Sequence, residues 1–273
     1  MKFGFITCVQ LGLRSMEAFY QSGGKLEFAV TLPDHIAKNK SGRVYIDDFC
    51  NQNDIPLFKY ESINNKTLIE TIIKKDIDWL FVIGWSQIAS KDFLNSTKKG
   101  IIGIHPTLLP EGRGRASIPW AILKNLDRTG VTMFKMDESV DAGPIFDKIE
   151  IPLDGKTNAT KLYDLVVDAH FKLIRKNTKN LLNNKFKLTV QDNSKASIWP
   201  GRKPEDGEIN LEGSIYDAEK LIRAVTHPYP GAFYFHKGIK HIVWSARVLK
   251  KYDNDIKNSN TIKFNDGVLL ILN

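Results

Sequence analysis

The sequence predicts an α/β protein built on a parallel sheet and followed by a smaller, strand-rich unit. Three observations predict it. Through the first 150 residues, apolar runs of strand character alternate with stretches of helical spacing, the pattern of right-handed βαβ units. The run WLFVI at 79–83 is apolar at every position, as a central strand covered on both faces must be. Near Thr189 the composition shifts to prolines, glycines and charges, and one helix with several short strands follows.

Taken in order, 2–8 reads as a first strand and 13–20 as a helix with Leu13, Met16, Ala18 and Phe19 at its apolar positions. Gly23-Gly24 closes that helix and 26–31 is a second strand. The polar, turn-rich PDHIAKNKSG at 33–42 reads as a loop near the cleft. A helix at 44–50, a short strand at 57–60 and a helix at 68–75 lead to the central strand. Residues 101–104, β-branched and set between Gly100 and Pro106, form a buried parallel strand with His105 at its carboxyl end. Open α/β sheets place their ligands at that end. In the following loop Pro106 and Pro110 deny their amides to any ladder, and Gly112 and Gly114 free the backbone around Arg113 and Arg115.

Further on, 118–123 is a helix, 130–136 a strand, 137–144 a turn carrying Asp141, and 145–151 another strand. Thr157-Asn158 caps a helix running to about Asn183, with Leu162, Leu165, Val166, Ala169 and Leu173 on one stripe and His170 as a structural histidine within it. The expected domains are 1–189, a linker over 190–206, and 207–273. The last contains a helix at 218–225, a proline-broken turn HPYPGAF, and strands near 232–236, 241–248, 261–264 and 268–272, which suggest a small, partly open β-barrel.

Composition bounds the function. With 42% hydrophobic and 26% charged residues the chain is ordinary for a globular protein, and no apolar run approaches the ~20 residues of a membrane span. The strand-like start is too quickly interrupted to be a signal peptide, so the expected location is the cytoplasm. Two cysteines cannot build a disulfide framework, no CxxC or HExxH suggests a metal, and Cys8 reads as a packed strand-end residue. The net charge of +8 divides as +6 over the first 199 residues (28 basic, 22 acidic) and +2 over the rest (11 and 9). That spread suits a small anionic substrate better than nucleic acid, and Lys74-Lys75, Lys98-Lys99 and Lys250-Lys251 read as solvated helix ends and loops. Cys8-Val9-Gln10-Leu11-Gly12 holds one glycine where a GxGxxG turn needs three, which disfavours a nicotinamide cofactor; no GxxxxGK[ST] is present.

The blocks HPTLLPEGRGRASIPWAI, TGVTMFKMDESVDAGPI, WPGRKPEDGEI and IRAVTHPYPGAF, in that order, resemble the folate-dependent formyltransferases, and among them those that N-formylate amino sugars carried on nucleotides. The resemblance implies a Rossmann-like domain followed by a small barrel similar to an OB-fold. It implies N10-formyltetrahydrofolate as cofactor, a nucleotide-linked amino sugar as substrate, a role in cell-surface polysaccharide synthesis, and allows a homodimer. His105 resembles the family's catalytic histidine, suited to remove a proton from the attacking amine. Asp141 resembles the aspartate beside it, which would orient the ring and relay the proton. The family pattern is Asn-x-His, and here the asparagine position is Gly103, which removes one donor to the developing oxyanion.

The same resemblance puts the pterin ring beside Ile83, Gly84, Trp85, Ser86, Gln87 and Ile88, with Glu138, Ser139, Val140 and Asp141 as the other wall. Gln10, Leu11, Gly12, Thr107, Arg113, Arg115, Tyr229 and Phe233 are the candidates for contact with the sugar nucleotide. Arginine suits a diphosphate because its planar fork bonds bidentately, although either arginine can instead brace the loop. Two other readings stand beside this one. A methionyl-tRNA formyltransferase shares the central blocks, and a catalytically silent folate- or nucleotide-binding homologue is raised by Gly103.

Overall fold

The computed structural model describes residues 1–37, 42–249 and 260–272. The chain divides into two compact units: Met1–Gly114, Thr129–Ile151 and Leu165–Ile198 form the first, and Arg115–Arg128, Pro152–Asp164 and Trp199–Asn273 the second. Lys250-Lys251 and the middle of the 33–42 stretch lie outside the described residues. No helix among the described residues is long and apolar enough to cross a membrane.

The first unit begins with β1 (Phe3–Ile6), α1 (Gln10–Gln21), β2 (Phe28–Thr31), α2 (Asp34–Ala37), α3 (Asp47–Gln52), β3 (Leu57–Lys59), α4 (Lys66–Lys74), β4 (Trp79–Val82), α5 (Lys91–Leu94) and β5 (Gly100–His105). The five strands pair in parallel in the order β3-β2-β1-β4-β5. β1, β2, β4 and β5 are buried at every residue, which is why they read as continuous apolar runs. The alternation within β1 divides the core: Phe3 and Phe5 pack their rings with Phe19 and Phe81, while Ile6 joins Phe28, Val30, Leu68 and Ile72. Both cysteines are buried, and burial, helped by Asp47, pushes the Cys50 thiol up to about 12. That protonated, enclosed thiol is packing material.

The helix expected over 13–20 starts three residues earlier. Gly12 sits inside its first turn, where a Cβ would lie 1.8 Å from Thr7 Oγ1. Only glycine lets the helix approach the strand end that closely.

The chain continues with β6 (Arg113–Gly114), α6 (Ser117–Leu123), β7 (Arg128–Lys135), β8 (Ile145–Pro152), α7 (Ala159–Leu182) and β9 (Ile198–Trp199). The expected parallel sheet holds through its first five strands, and the direction changes at β7. β7 runs antiparallel to β5, with Gly103 opposite Phe134 and His105 opposite Thr132, and β8 completes the order as the seventh strand. A parallel pair needs a crossover, usually a helix lying on the sheet. α6, the helix between β5 and β7, belongs to the second unit, so β7 re-enters at the end where β5 left. In α7, Asn158 accepts a hydrogen bond from the Lys161 amide (2.9 Å) at the helix start, and Leu162, Val166, Ala169 and Leu173 are buried, as their spacing predicts.

In the second unit, α8 (Ile215–Val225) is followed by β10 (Ala232–His236), β11 (Ile239–Val243), β12 (Ala246–Val248), β13 (Thr261–Phe264) and β14 (Gly267–Ile271). α8 starts three residues before its expected position because Ser214 caps it, accepting from the Tyr216 amide at 3.2 Å. The expected OB-like barrel is not confirmed by the described strands. Among the described residues β10 and β11 form a hairpin and β12-β14-β13 a separate antiparallel sheet. The strand expected over 241–248 breaks at Trp244-Ser245, where the Trp244 ring stacks on His227 at 3.9 Å.

Gly12→Ala is expected to lower stability by about 1–3 kcal/mol, the usual cost of overpacking a tight contact. Urea denaturation measures it, and adding Thr7→Ala restores part of the loss. An unchanged midpoint for Gly12→Ala shows that the approach of α1 to Thr7 is slack.

Candidate active site

His105 ends β5 with 8% of its side chain exposed, and the loop that follows folds back over the ring. Its Nε2 lies 2.8 Å from the Gly112 carbonyl oxygen. A carbonyl only accepts, so Nε2 carries the hydrogen and Nδ1 is the basic nitrogen. Nδ1 faces the Asp141 carboxylate, with Oδ2 at 3.4 Å. The same Oδ2 accepts the Gly114 amide at 2.9 Å. The loop thus touches both groups: Gly112 holds the imidazole by its far nitrogen, and Gly114 holds the carboxylate.

Asp141 adopts a left-handed backbone, φ 52°, tolerated by aspartate better than by most side chains. Its carbonyl and that of Gly143 accept from the Gln191 amide nitrogen at 2.8 and 2.7 Å. The Gln191 oxygen accepts from Arg113 Nε (3.2 Å) and Nη2 (2.8 Å), and Arg113 Nη2 also donates to Asn193. Ser197 completes the contact: its hydroxyl accepts the Gly112 amide and its carbonyl the Arg113 amide, both at 2.9 Å. Gln191, Asn193 and Ser197 lie in the stretch whose composition reads as a linker, and no local pattern singles them out.

The structure therefore brings Gly103, His105, Thr107, Arg113 and Asp141 into one region. Gly103 faces the hydrophobic side of β7: a Cβ there would lie 2.9 Å from Phe134 Cε1 and 3.2 Å from Met136 Cγ. Thr107 is buried, donates its amide to the His105 carbonyl, and leaves its hydroxyl without a hydrogen-bond partner. Arg113 is 9% exposed and its fork is committed to Gln191 and Asn193, the bracing role, whereas Arg115 is exposed.

The 83–88 loop is braced from below. Gln87 accepts from the Ile63 amide and Trp85 Nε1, and Asn64 donates to the Ile88 carbonyl. Ile83 is buried, while Ser86, Gln87 and Ile88 are exposed, as are Glu138, Ser139 and Val140. Lys91, which opens α5 three residues after Ile88, pairs with Glu138 at 3.1 Å. Gln10 and Leu11 open α1, and Leu11 packs with Cys8, Val9, Leu32 and Ala37. In the second unit Phe233 packs under Lys240, whose Nζ is 3.7 Å from the ring centroid, and burial raises the Tyr229 hydroxyl above its ordinary range.

His170, a structural histidine by its sequence context, is fully buried with Nδ1 2.8 Å from the Val166 carbonyl. Burial, with a smaller repulsion from His105, lowers its pKa from 6.5 to about 4. A group that binds its proton less tightly when folded removes stability as pH falls through the unfolded value. The loss begins near pH 6.5, is complete near pH 4 and amounts to about 3 kcal/mol. His170→Leu is expected to flatten the stability profile between pH 7 and pH 4 by about that amount, measured by urea denaturation across the range. Equal slopes in wild type and variant exclude His170 as the source.

An imidazole with its basic nitrogen against a carboxylate, at the carboxyl end of a buried strand, is equipped to take a proton from a nucleophile. The matches to known families specify the transfer. The chain matches the family described as formyl transferase over residues 25–178 and the formyl transferase C-terminal domain over 202–273. The first match spans more than half of the 273 residues, and the chain belongs to the formyl transferase family. Solved structures share the fold. WlaRD, a sugar 3N-formyl transferase crystallised with dTDP and 5-N-formyl-THF, is 19% identical with TM-score 0.73, over 99% of this chain and 96% of the other. The N-formyltransferase from Helicobacter canadensis, in complex with folinic acid and dTDP-3-aminofucose, is 18% identical with TM-score 0.70, over 99% and 98%. A 4-N formyltransferase from Francisella tularensis is 23% identical with TM-score 0.71, over 89% and 96%.

Proposed function

We propose that this formyl transferase moves the formyl group of N10-formyltetrahydrofolate to the amine of a nucleotide-linked amino sugar. The observation that carries the reading is the His105–Asp141 pair, held by the Gly112–Gly114 loop, in a chain of this family. The substrate class is supported by the neighbours, whose ligands include dTDP, dTDP-3-aminofucose and formylated folates. Residues 1–189 are the catalytic domain in this reading, 190–206 connect it to 207–273, and the reaction is cytoplasmic, supplying sugars for cell-surface polysaccharide.

Two exposed apolar side chains, Ile88 (78%) and Val140 (58%), lie in the 83–88 and 138–141 stretches and offer apolar surface suited to a flat ring. In this reading residues 83–88 and 138–141 would hold the pterin. The folate supplies the formyl carbon and a nitrogen to receive the proton. His105 Nδ1 accepts the proton of the attacking amine while Nε2 stays on the Gly112 carbonyl, and Asp141 Oδ2 holds the imidazolium and passes the proton on. Exposed Arg115 is the arginine left to meet the diphosphate, with Gln10, Leu11, Gly12, Thr107, Tyr229 and Phe233 as the remaining substrate candidates.

The test is a screen of amino-sugar nucleotides with 10-formyltetrahydrofolate, read by mass gain of one formyl group; no product with any of them overturns the reading. With an active sugar nucleotide, His105→Asn is expected to lose most of kcat while both substrates bind, and near-normal kcat removes His105 from the mechanism. Arg115→Ala is expected to raise KM for the sugar nucleotide more than for the folate, and equal effects on the two assign Arg115 to the loop instead.

Gly103→Asn is expected to leave kcat unchanged or lower it, because the new side chain meets Phe134 and Met136 at its first atom. Single-turnover transfer measures it. A rise of about a hundredfold, near the low end of what one oxyanion donor contributes, shows that the native site lacks compensation and favours a binding protein over an enzyme.

A further inference from the structure

We propose that Gln191 is a positioning residue for formyl transfer, its single side-chain amide fixing the Asp141 turn against the loop that holds His105. The inference rests on the assignment of His105 and Asp141 above and extends it to a segment whose composition reads as a linker.

The argument is stoichiometric. A glutamine side chain offers two N–H donors and two acceptor sites on its oxygen. In Gln191 both donors are used on backbone carbonyls of one turn, Asp141 (2.8 Å) and Gly143 (2.7 Å), and both acceptor sites on one guanidinium, Arg113 Nε (3.2 Å) and Nη2 (2.8 Å). Only one orientation of the amide satisfies this set. Turned around, it opposes N–H to N–H at Arg113 and oxygen to oxygen at the turn. Gln191 is 6% exposed, so no solvent replaces a lost partner.

What the amide joins is the consequence. Arg113 is flanked by Gly112, whose carbonyl takes the His105 Nε2 hydrogen, and by Gly114, whose amide meets Asp141 Oδ2. The Asp141 carbonyl is held by Gln191 and its carboxylate by Gly114, so the left-handed aspartate is clamped at both ends. Asp141 reaches His105 at 3.4 Å only while the turn and the loop keep their spacing. No other described side chain donates to the Asp141 carbonyl and also binds the 112–114 loop.

Glutamate separates this role from simple packing. It has the same length, keeps acceptors for Arg113, and presents no donor to the two carbonyls. Gln191→Glu is therefore expected to fold, because Arg113 keeps its acceptors, and to lose at least tenfold in kcat with KM for both substrates changed less than threefold. Gln191→Met, apolar and of similar volume, is expected to show the same kcat loss. In an Asp141→Asn background, either substitution is expected to cost less than threefold further, because Gln191 acts through the aspartate; a merely structural residue costs the same factor in both backgrounds.

A readout independent of turnover uses ring ¹⁵N shifts of His105 in the unliganded protein. Wild type is expected to show Nε2 protonated throughout, and Gln191→Glu a mixture of ring tautomers. Wild-type transfer failing while the tautomer changes refutes the proposed reaction and not the positioning. Near-wild-type kcat in both variants, equal losses with and without Asp141, or an unchanged His105 spectrum in Gln191→Glu overturns the positioning role.

Discussion

The hydrogen bond between His105 Nε2 and the Gly112 carbonyl is the contact on which the site depends. It settles which nitrogen is basic, because a carbonyl oxygen accepts and never donates. With Nε2 on the Gly112 carbonyl, Nδ1 faces the Asp141 carboxylate. The bond exists because the chain after β5 does not cross over the sheet. It turns back through a proline- and glycine-rich loop, and seven residues after His105 it passes the ring edge with a carbonyl pointing inward. The same turn-back lets β7 pair antiparallel with β5 and sets Phe134 beside Gly103.

Gly103 follows from that pairing. Residues 103 and 105 share one face of β5, so a side chain at 103 would project on the histidine's side of the sheet. The space it would enter is lined by Phe134 and Met136, and Phe134 packs with Leu109 and Ile145. The large apolar side chains of Phe134 on β7 and of Met136 just after it, and the missing side chain at residue 103 of β5, are two halves of one packing solution, and neither half is exchangeable alone.

How much of this was legible in the sequence follows from how local each feature is. The buried strands read clearly because WLFVI and FGFI are apolar on both faces, and the long helix read clearly because Leu162, Val166, Ala169 and Leu173 recur on one stripe. His105 and Asp141 were legible from their blocks, and the structure sets them beside one another. The direction of β7 was not legible, since an apolar run carries no sign of which neighbour it pairs with. The break at Trp244 was hidden because its partner, His227, lies in a different segment. Gln191 and Ser197 were hidden most completely, because polar residues among prolines, glycines and charges have the composition of a solvated linker whether or not tertiary contacts bury them.

The chemistry of that buried corner explains why it is built from amides and hydroxyls. A guanidinium taken out of water must have its donors satisfied. Arg113 meets neutral oxygens, on Gln191 and Asn193, rather than a carboxylate. A carboxylate there would pair with Arg113 just as well, but it would add a second negative group close to the turn that carries Asp141 and would repel the carbonyls of Asp141 and Gly143. A neutral amide has the donors those carbonyls require and the acceptors the arginine requires. Arg113 is then held by neutral oxygens while Asp141 remains the carboxylate that His105 Nδ1 faces, so the support for the catalytic pair does not compete with it.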